Sequence, residues 1–113
     1  YVRSVLQLPD GSVLIGSSGG LDRWKDGRIE PVSRGEGGIG NEAVLSLARG
    51  RDGSVWVGMY SLGLYQLKNG EVVDQLGADD GLLGPQVRAI VETRDGSLWI
   101  GTSSGLFRRG VDG

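Results

Sequence analysis

One segment recurs three times in this chain: Pro9-Asp-Gly-Ser-Val-Leu-Ile-Gly16, Arg51-Asp-Gly-Ser-Val-Trp-Val-Gly58 and Arg94-Asp-Gly-Ser-Leu-Trp-Ile-Gly101. Asp10, Asp52 and Asp95 lie 42 and 43 residues apart. A fixed period of that length points to a repeat architecture, in which each unit buries its apolar faces on its neighbours. Glycine fits the same reading. It supplies 22 of 113 residues, mostly between short apolar runs, which indicates many tight turns and not disorder.

Aligned on the Asp-Gly pairs, Tyr1–Gly11, Ala43–Gly53 and Gln86–Gly96 correspond position for position. Val2, Val44 and Val87 match, as do Val5, Leu47 and Ile90, in runs rich in β-branched and aliphatic residues that read as the first strand of a unit. An Asp-Gly turn follows, where glycine accepts positive φ and the aspartate can hydrogen-bond backbone ahead of it. Val13–Gly16, Val55–Gly58 and Leu98–Gly101 form a second strand that is apolar at consecutive positions, so both faces should be buried. Leu14, Trp56 and Trp99 are equivalent, and this bulky site is expected to pack on a neighbouring sheet in every unit. Gly58 and Gly101 close the motif.

A short polar connection leads to a third strand opening at Leu21, Leu64 or Leu106. Asp26-Gly27 and Asn69-Gly70 make another hairpin, and Arg28–Val32 and Glu71–Gln75 form a polar fourth strand. Pro31 marks it as an edge strand. Four antiparallel strands per unit, apolar inside and polar outside, at a period near 42, describe a β-propeller blade. A β-sandwich should alternate polar and apolar residues and has no reason for the period. The fold class is all-β, with blade 1 over 1–42, blade 2 over 43–85 and a partial blade 3 over 86–113. That is about two and three-quarter blades, where a ring usually takes roughly four to eight. The chain begins at Tyr1 without methionine. It is expected to be part of a larger ring, or to be completed by oligomerisation.

Val87-Arg-Ala-Ile-Val-Glu-Thr-Arg-Asp-Gly-Ser-Leu-Trp-Ile-Gly-Thr102 followed by Gly105-Leu106-Phe107, with Asp80-Gly-Leu82 as lead-in, resembles the two-component regulator propeller repeat. All three units are similar to it. The first departs at Leu14, where Trp is usual, and at Ser17, where Thr is usual. The resemblance implies an extracytoplasmic, periplasmic sensor segment of a bacterial membrane receptor, such as a hybrid histidine kinase or a diguanylate cyclase in cyclic-di-GMP signalling. Some members respond to oligosaccharides.

Composition excludes several other functions. The formal charge is −2 with no basic run, so no grip on nucleic acid or anionic membrane is expected. With no cysteine and no histidine, there is no thiolate site, no imidazole base and no imidazole metal ligand. Asp10, Asp52 and Asp95 repeat one turn and read as scaffold. Asp79-Asp80 lacks the alternating ligands and closing Glu of a calcium loop. The glycine cluster Gly35, Gly37, Gly38 and Gly40 does not join a strand to a helix, so it is no phosphate loop. No catalytic residue, metal or cofactor is expected, although some propeller lyases and hydrolases carry similar blades.

The candidate ligand face is where the second-to-third-strand loops and the blade-to-blade loops open together. It gathers Ser17, Ser18, Tyr60, Ser103, Ser104, Glu36, Asn41, Glu42, Asp79, Asp80 and Gln86, with Arg3 and Arg88 at the start of inner strands near the central channel. Arg3, Ser18, Tyr60, Arg88 and Ser103 are the ligand candidates, for a carbohydrate or another small polar molecule. Trp56, Trp99, Gly58, Gly101, Asp52 and Asp95 are structural. The alternative is a plain scaffold for protein contacts, because a blade short of its fourth strand exposes edges that invite self-association.

Overall fold

The computed structural model describes residues 2–32, 42–50, 52–60, 63–69, 71–76 and 86–110. Eleven strands form three antiparallel sheets among them. The first holds β1 (Val2–Gln7), β2 (Val13–Ser17), β3 (Gly20–Lys25) and β4 (Arg28–Pro31). The second holds β5 (Val44–Arg49), β6 (Val55–Met59), β7 (Leu64–Lys68) and β8 (Glu71–Leu76). The third holds β9 (Val87–Glu92), β10 (Leu98–Thr102) and β11 (Gly105–Arg109). Strand order follows chain order in each sheet, as expected of meandering blades, and Pro31 lies on the edge strand β4. The expected strands are present, with ends shifted by one or two residues.

The turns form as their residues dictate. Asp10 accepts from the Ser12 backbone amide at 2.9 Å and from its hydroxyl at 2.6 Å. Asp52 and Asp95 accept from the Ser54 and Ser97 amides at 3.1 and 2.9 Å. Gly11, Gly53 and Gly96 sit at φ of 89°, 87° and 88°, which an L side chain resists. Asp26 and Gly27 are both left-handed, at φ 52° and 83°, as a two-residue hairpin requires.

Packing sorts each strand by face. Leu14 and Leu21 of the first sheet meet Val44, Val55, Val57, Met59, Tyr65 and Leu67 of the second in one core cluster. Trp56 and Leu64, on the other side of the second sheet, meet Val87, Ile90, Leu98 and Ile100 of the third. The middle sheet is therefore buried on both faces, and every residue of β6 is buried. The outer sheets are not. β2 and β10 each bury one face only, which corrects the expectation of two-sided burial in every unit. Trp99 is corrected with them. It is 36% exposed, against 2% for Trp56, because among the described residues no sheet lies beyond it.

At each interface a valine enters a glycine seat. A Cβ on Gly16 would come within 2.6 Å of Val44 Cγ1, and one on Gly58 within 2.7 Å of Val87 Cγ1 and of the Val87 carbonyl oxygen. The same valines lie at a β-bulge. Val44 pairs with Met59 and Ser46 with Gly58, leaving Leu45 as an extra residue; Arg3 and Arg88 are the extra residues in β1 and β9. The bulge reverses the facing of the strand. Val44 points back at the first sheet, while the Ser46 hydroxyl points forward and donates to the Val87 carbonyl at 2.9 Å.

Candidate functional site

Arg3, Ser18, Tyr60, Arg88 and Ser103 come together at one end of the sheets. The pairings Val2–Ser17, Val44–Met59 and Val87–Thr102 place the start of each first strand beside the end of each second strand. Backbone bonds from Tyr60 to Ala43 at 3.0 Å and from Ser103 to Gln86 at 3.1 Å tie the hairpin loop to the strand lead-in. Arg3 and Arg88 are exposed and occupy the bulges, where an added residue re-aims its side chain. Arg88 Nη2 donates to Gln86 Oε1 at 2.7 Å. The middle blade breaks the pattern twice, with buried Leu45 at the arginine position and Tyr60, 47% exposed, at the serine position. Glu36, Asn41, Asp79 and Asp80 lie outside the described residues, as does the glycine cluster.

The loop chemistry explains why Tyr60 stands apart. In the outer blades, Ser17 and Thr102 close the turn by accepting from the amides of Gly19 and Ser104 at 3.2 and 3.1 Å. Met59 holds this position in the middle blade and has no hydroxyl. There the loop is one residue longer and closes through the Met59 amide on the Gly63 carbonyl at 2.8 Å.

A second depression lies elsewhere among the described residues. A cleft of about 580 Å³ opens between the first and second sheets, lined by Leu8, Pro9, Leu14, Pro31, Val32 and Val55 with Arg23 and Glu30 among its polar groups. It lies at the Asp-Gly turn end, opposite the loop face, and none of the five ligand candidates lines it. Sequence reasoning missed it, although Leu14 in a Trp position was the signal. In the next interface Trp56 fills that position, covered by Arg109, whose guanidinium carbon is 5.2 Å from the ring centroid and whose Nη1 is 3.2 Å from Asp74 Oδ2.

The carboxylates are scaffold in the structure as well. The Ser12 hydroxyl and amide hold Asp10 down to about 2, and the Thr93 hydroxyl with the Ser97 amide and hydroxyl holds Asp95 down to about 2. Asp52 is lowered by the same kind of bonds from Ser54. Each is committed to its own turn. Among the described residues, no three acidic side chains gather where they could hold a metal ion, and no helix is long and apolar enough to cross a membrane.

Residues 81–104 match the family model described as two-component regulator propeller. No curated protein matches the chain. Among solved structures it resembles the extracellular domain of a B. thetaiotaomicron protein assigned as a hybrid two-component system, BT3049. There the TM-score is 0.73 and identity 21%, covering 93% of this chain and 14% of that one. It also resembles PorZ, a surface component of the type-IX secretion system of Porphyromonas gingivalis, with TM-score 0.75, identity 18%, and coverage of 93% and 17%. Virginiamycin B lyase of Staphylococcus aureus is similar too, at TM-score 0.66 and identity 15%, covering 96% and 41%. The chain spans about a seventh and a sixth of the length of the first two structures, and at these identities the likeness is one of fold. The three stacked sheets make this chain a run of β-propeller blades, and its residues 81–104 match the two-component regulator propeller repeat.

Proposed function

We propose that the chain is a non-catalytic segment of a periplasmic sensory propeller, and that its loop face contributes to binding an oligosaccharide or small polar ligand. The observation that carries this reading is the gathering of Arg3, Ser18, Tyr60, Arg88 and Ser103 at one end of the three sheets, two of them on bulges. A tyrosine ring offers a flat apolar surface for a sugar, and guanidinium groups offer paired donors for hydroxyls or carboxylates. The repeat and the resemblance to an extracellular receptor domain support the sensory role. The enzyme reading has less behind it: the lyase resemblance concerns fold, and this chain has no histidine or cysteine to serve as base or nucleophile.

A glycan array probed with the chain, followed by titration calorimetry on any hit, tests this. Tyr60→Ala and Arg88→Ala should each weaken binding about tenfold or more while leaving the melting temperature within a degree or two, because both side chains are exposed. Arg23→Ala serves as control for the cleft. If Arg23→Ala abolishes binding and Tyr60→Ala does not, the loop face is the wrong site.

A further inference from the structure

The two interfaces between sheets are built on one plan, and the first departs from it at the cleft. In the second interface Trp56, Gln66 and Asp74 lie side by side across β6, β7 and β8. Arg109 reaches over from the third sheet to cover the ring and to pair with Asp74. The matching row of the first interface is Leu14, Arg23 and Glu30 across β2, β3 and β4. Opposite it, Leu67 pairs with Val55 as Arg109 pairs with Leu98, so a leucine stands in the place of the arginine. Leu14 leaves unfilled the space that an indole takes up in the next interface, and the cleft of about 580 Å³ opens there. Leu67 supplies no cation, so Glu30 lacks the cross-interface partner that Asp74 has. Arg23 adds a cation where Gln66 is neutral, and among the described residues no ion pair joins it to Glu30. Cross-strand pairing sets the two Cβ atoms about 5 Å apart. Both side chains line the cleft beside an apolar floor of Leu14, Val55 and Leu67.

We infer that this cleft binds a free aromatic amino acid. The ring takes the indole space over Leu14 and Val55, the carboxylate takes the Arg23 guanidinium, and the ammonium takes Glu30. A guanidinium fork matches a carboxylate with two parallel hydrogen bonds. Adjacent opposite charges on the protein call for adjacent opposite charges on the ligand, which an α-amino acid carries on one carbon. A ligand with a single charge would desolvate the other protein charge without pairing it, which is costly. The volume lies within the range of about 300–1,000 Å³ typical of small-molecule pockets. The third sheet shows that an arginine in this place accepts a ring beside it: Arg108, the counterpart of Arg23, lies 5.6 Å from the Trp99 centroid. The site is at the turn end of the sheets and does not depend on the loop face.

Titration calorimetry with L-tryptophan at up to about 5 mM tests this. The expected result is saturable one-to-one binding. Tryptamine and indolepropionate each lack one of the two charges and should bind at least tenfold more weakly. Leu14→Trp puts the protein's own indole into the seat and should abolish binding, with the β-sheet circular dichroism spectrum unchanged. Glu30→Gln alters an exposed side chain, so it reports even where Leu14→Trp misfolds. It should weaken L-tryptophan at least tenfold and leave indolepropionate as it was. Glu71→Gln, the same change at an exposed position outside the cleft, should leave binding alone. No binding of L-tryptophan overturns the proposal. So does tryptamine or indolepropionate bound as tightly as L-tryptophan, or binding that survives Leu14→Trp or Glu30→Gln.

Discussion

Trp56 and Trp99 occupy the same place in two copies of one motif, yet the first is sealed between sheets and the second has no sheet over it among the described residues. Their strands have the same length, aliphatic neighbours in sequence and pairing at equivalent positions, with Trp56 opposite Ala48 and Trp99 opposite Val91. The main difference is a following sheet, present beyond Trp56 and not beyond Trp99 among the described residues. The contrast teaches that in a stacked repeat a motif sets which way a side chain points, while its neighbour sets what that is worth. Arg108 shows the same thing from the other side. It lies over Trp99 at 5.6 Å, a partial cover at an open face, where Trp56 has both a sheet and Arg109.

The sharpest way to break this comparison is to truncate both tryptophans. Trp56→Ala should cost about 3–5 kcal/mol through the cavity it leaves, enough to abolish a cooperative melt. Trp99→Ala should cost about 1 kcal/mol, since its ring is already partly in water. Equal costs in urea melts would mean that the third sheet is covered in solution. Gly58→Ala should cost about 2–3 kcal/mol because the new methyl meets the Val87 carbonyl, which cannot move aside. Gly101→Ala should stay within about 0.5 kcal/mol, since the new methyl would meet only Ala89 at ordinary contact distance.

Smaller effects separate the two internal interfaces. The Ser46 hydroxyl bonds across to Val87, whereas the equivalent Ser4 hydroxyl is buried without a partner among the described residues. Ser46→Ala should therefore cost about 1 kcal/mol and Ser4→Ala little or nothing, by denaturant midpoint. Removing Arg109 takes away both its cover over Trp56 and its pair with Asp74. Because both side chains of the pair are partly exposed, Arg109→Ala should cost no more than about 1 kcal/mol.

The turn aspartates should ignore the distinction altogether. Their carboxyls are lowered from the usual value near 3.9 by hydrogen bonds inside each turn. A folded-state value below the unfolded one gives stability that is complete above about pH 4 and is lost as pH falls toward about 2. Melting temperature should decline across that window. Asp10→Asn and Asp95→Asn should each flatten the decline by a similar amount, although they lie in different blades. Unequal flattening in a pH series would tie the turns to the interfaces after all.

Much of this was legible in the residues. The 42–43 residue period, the Asp-Gly and Asn-Gly turns and the proline-marked edge determined blades, strands and their order, because turn chemistry and alternation act locally. The bulge was legible as well, but missed: Val2 and Val5, Val44 and Leu47, and Val87 and Ile90 are three apart, and a regular strand puts such pairs on opposite faces. The gathering of Arg3, Tyr60 and Arg88 at one end follows from strand direction alone. What tertiary structure decided is which copies of each position are buried. Leu21 and Leu106, or Val44 and Val2, are alike in sequence context and differ because burial depends on the sheet across the interface. It also decided where the cleft lies, since the space beside Leu14 comes from packing a smaller side chain between two sheets. Periodicity fixes direction along a strand; only contact between strands distant in the chain fixes what lies opposite.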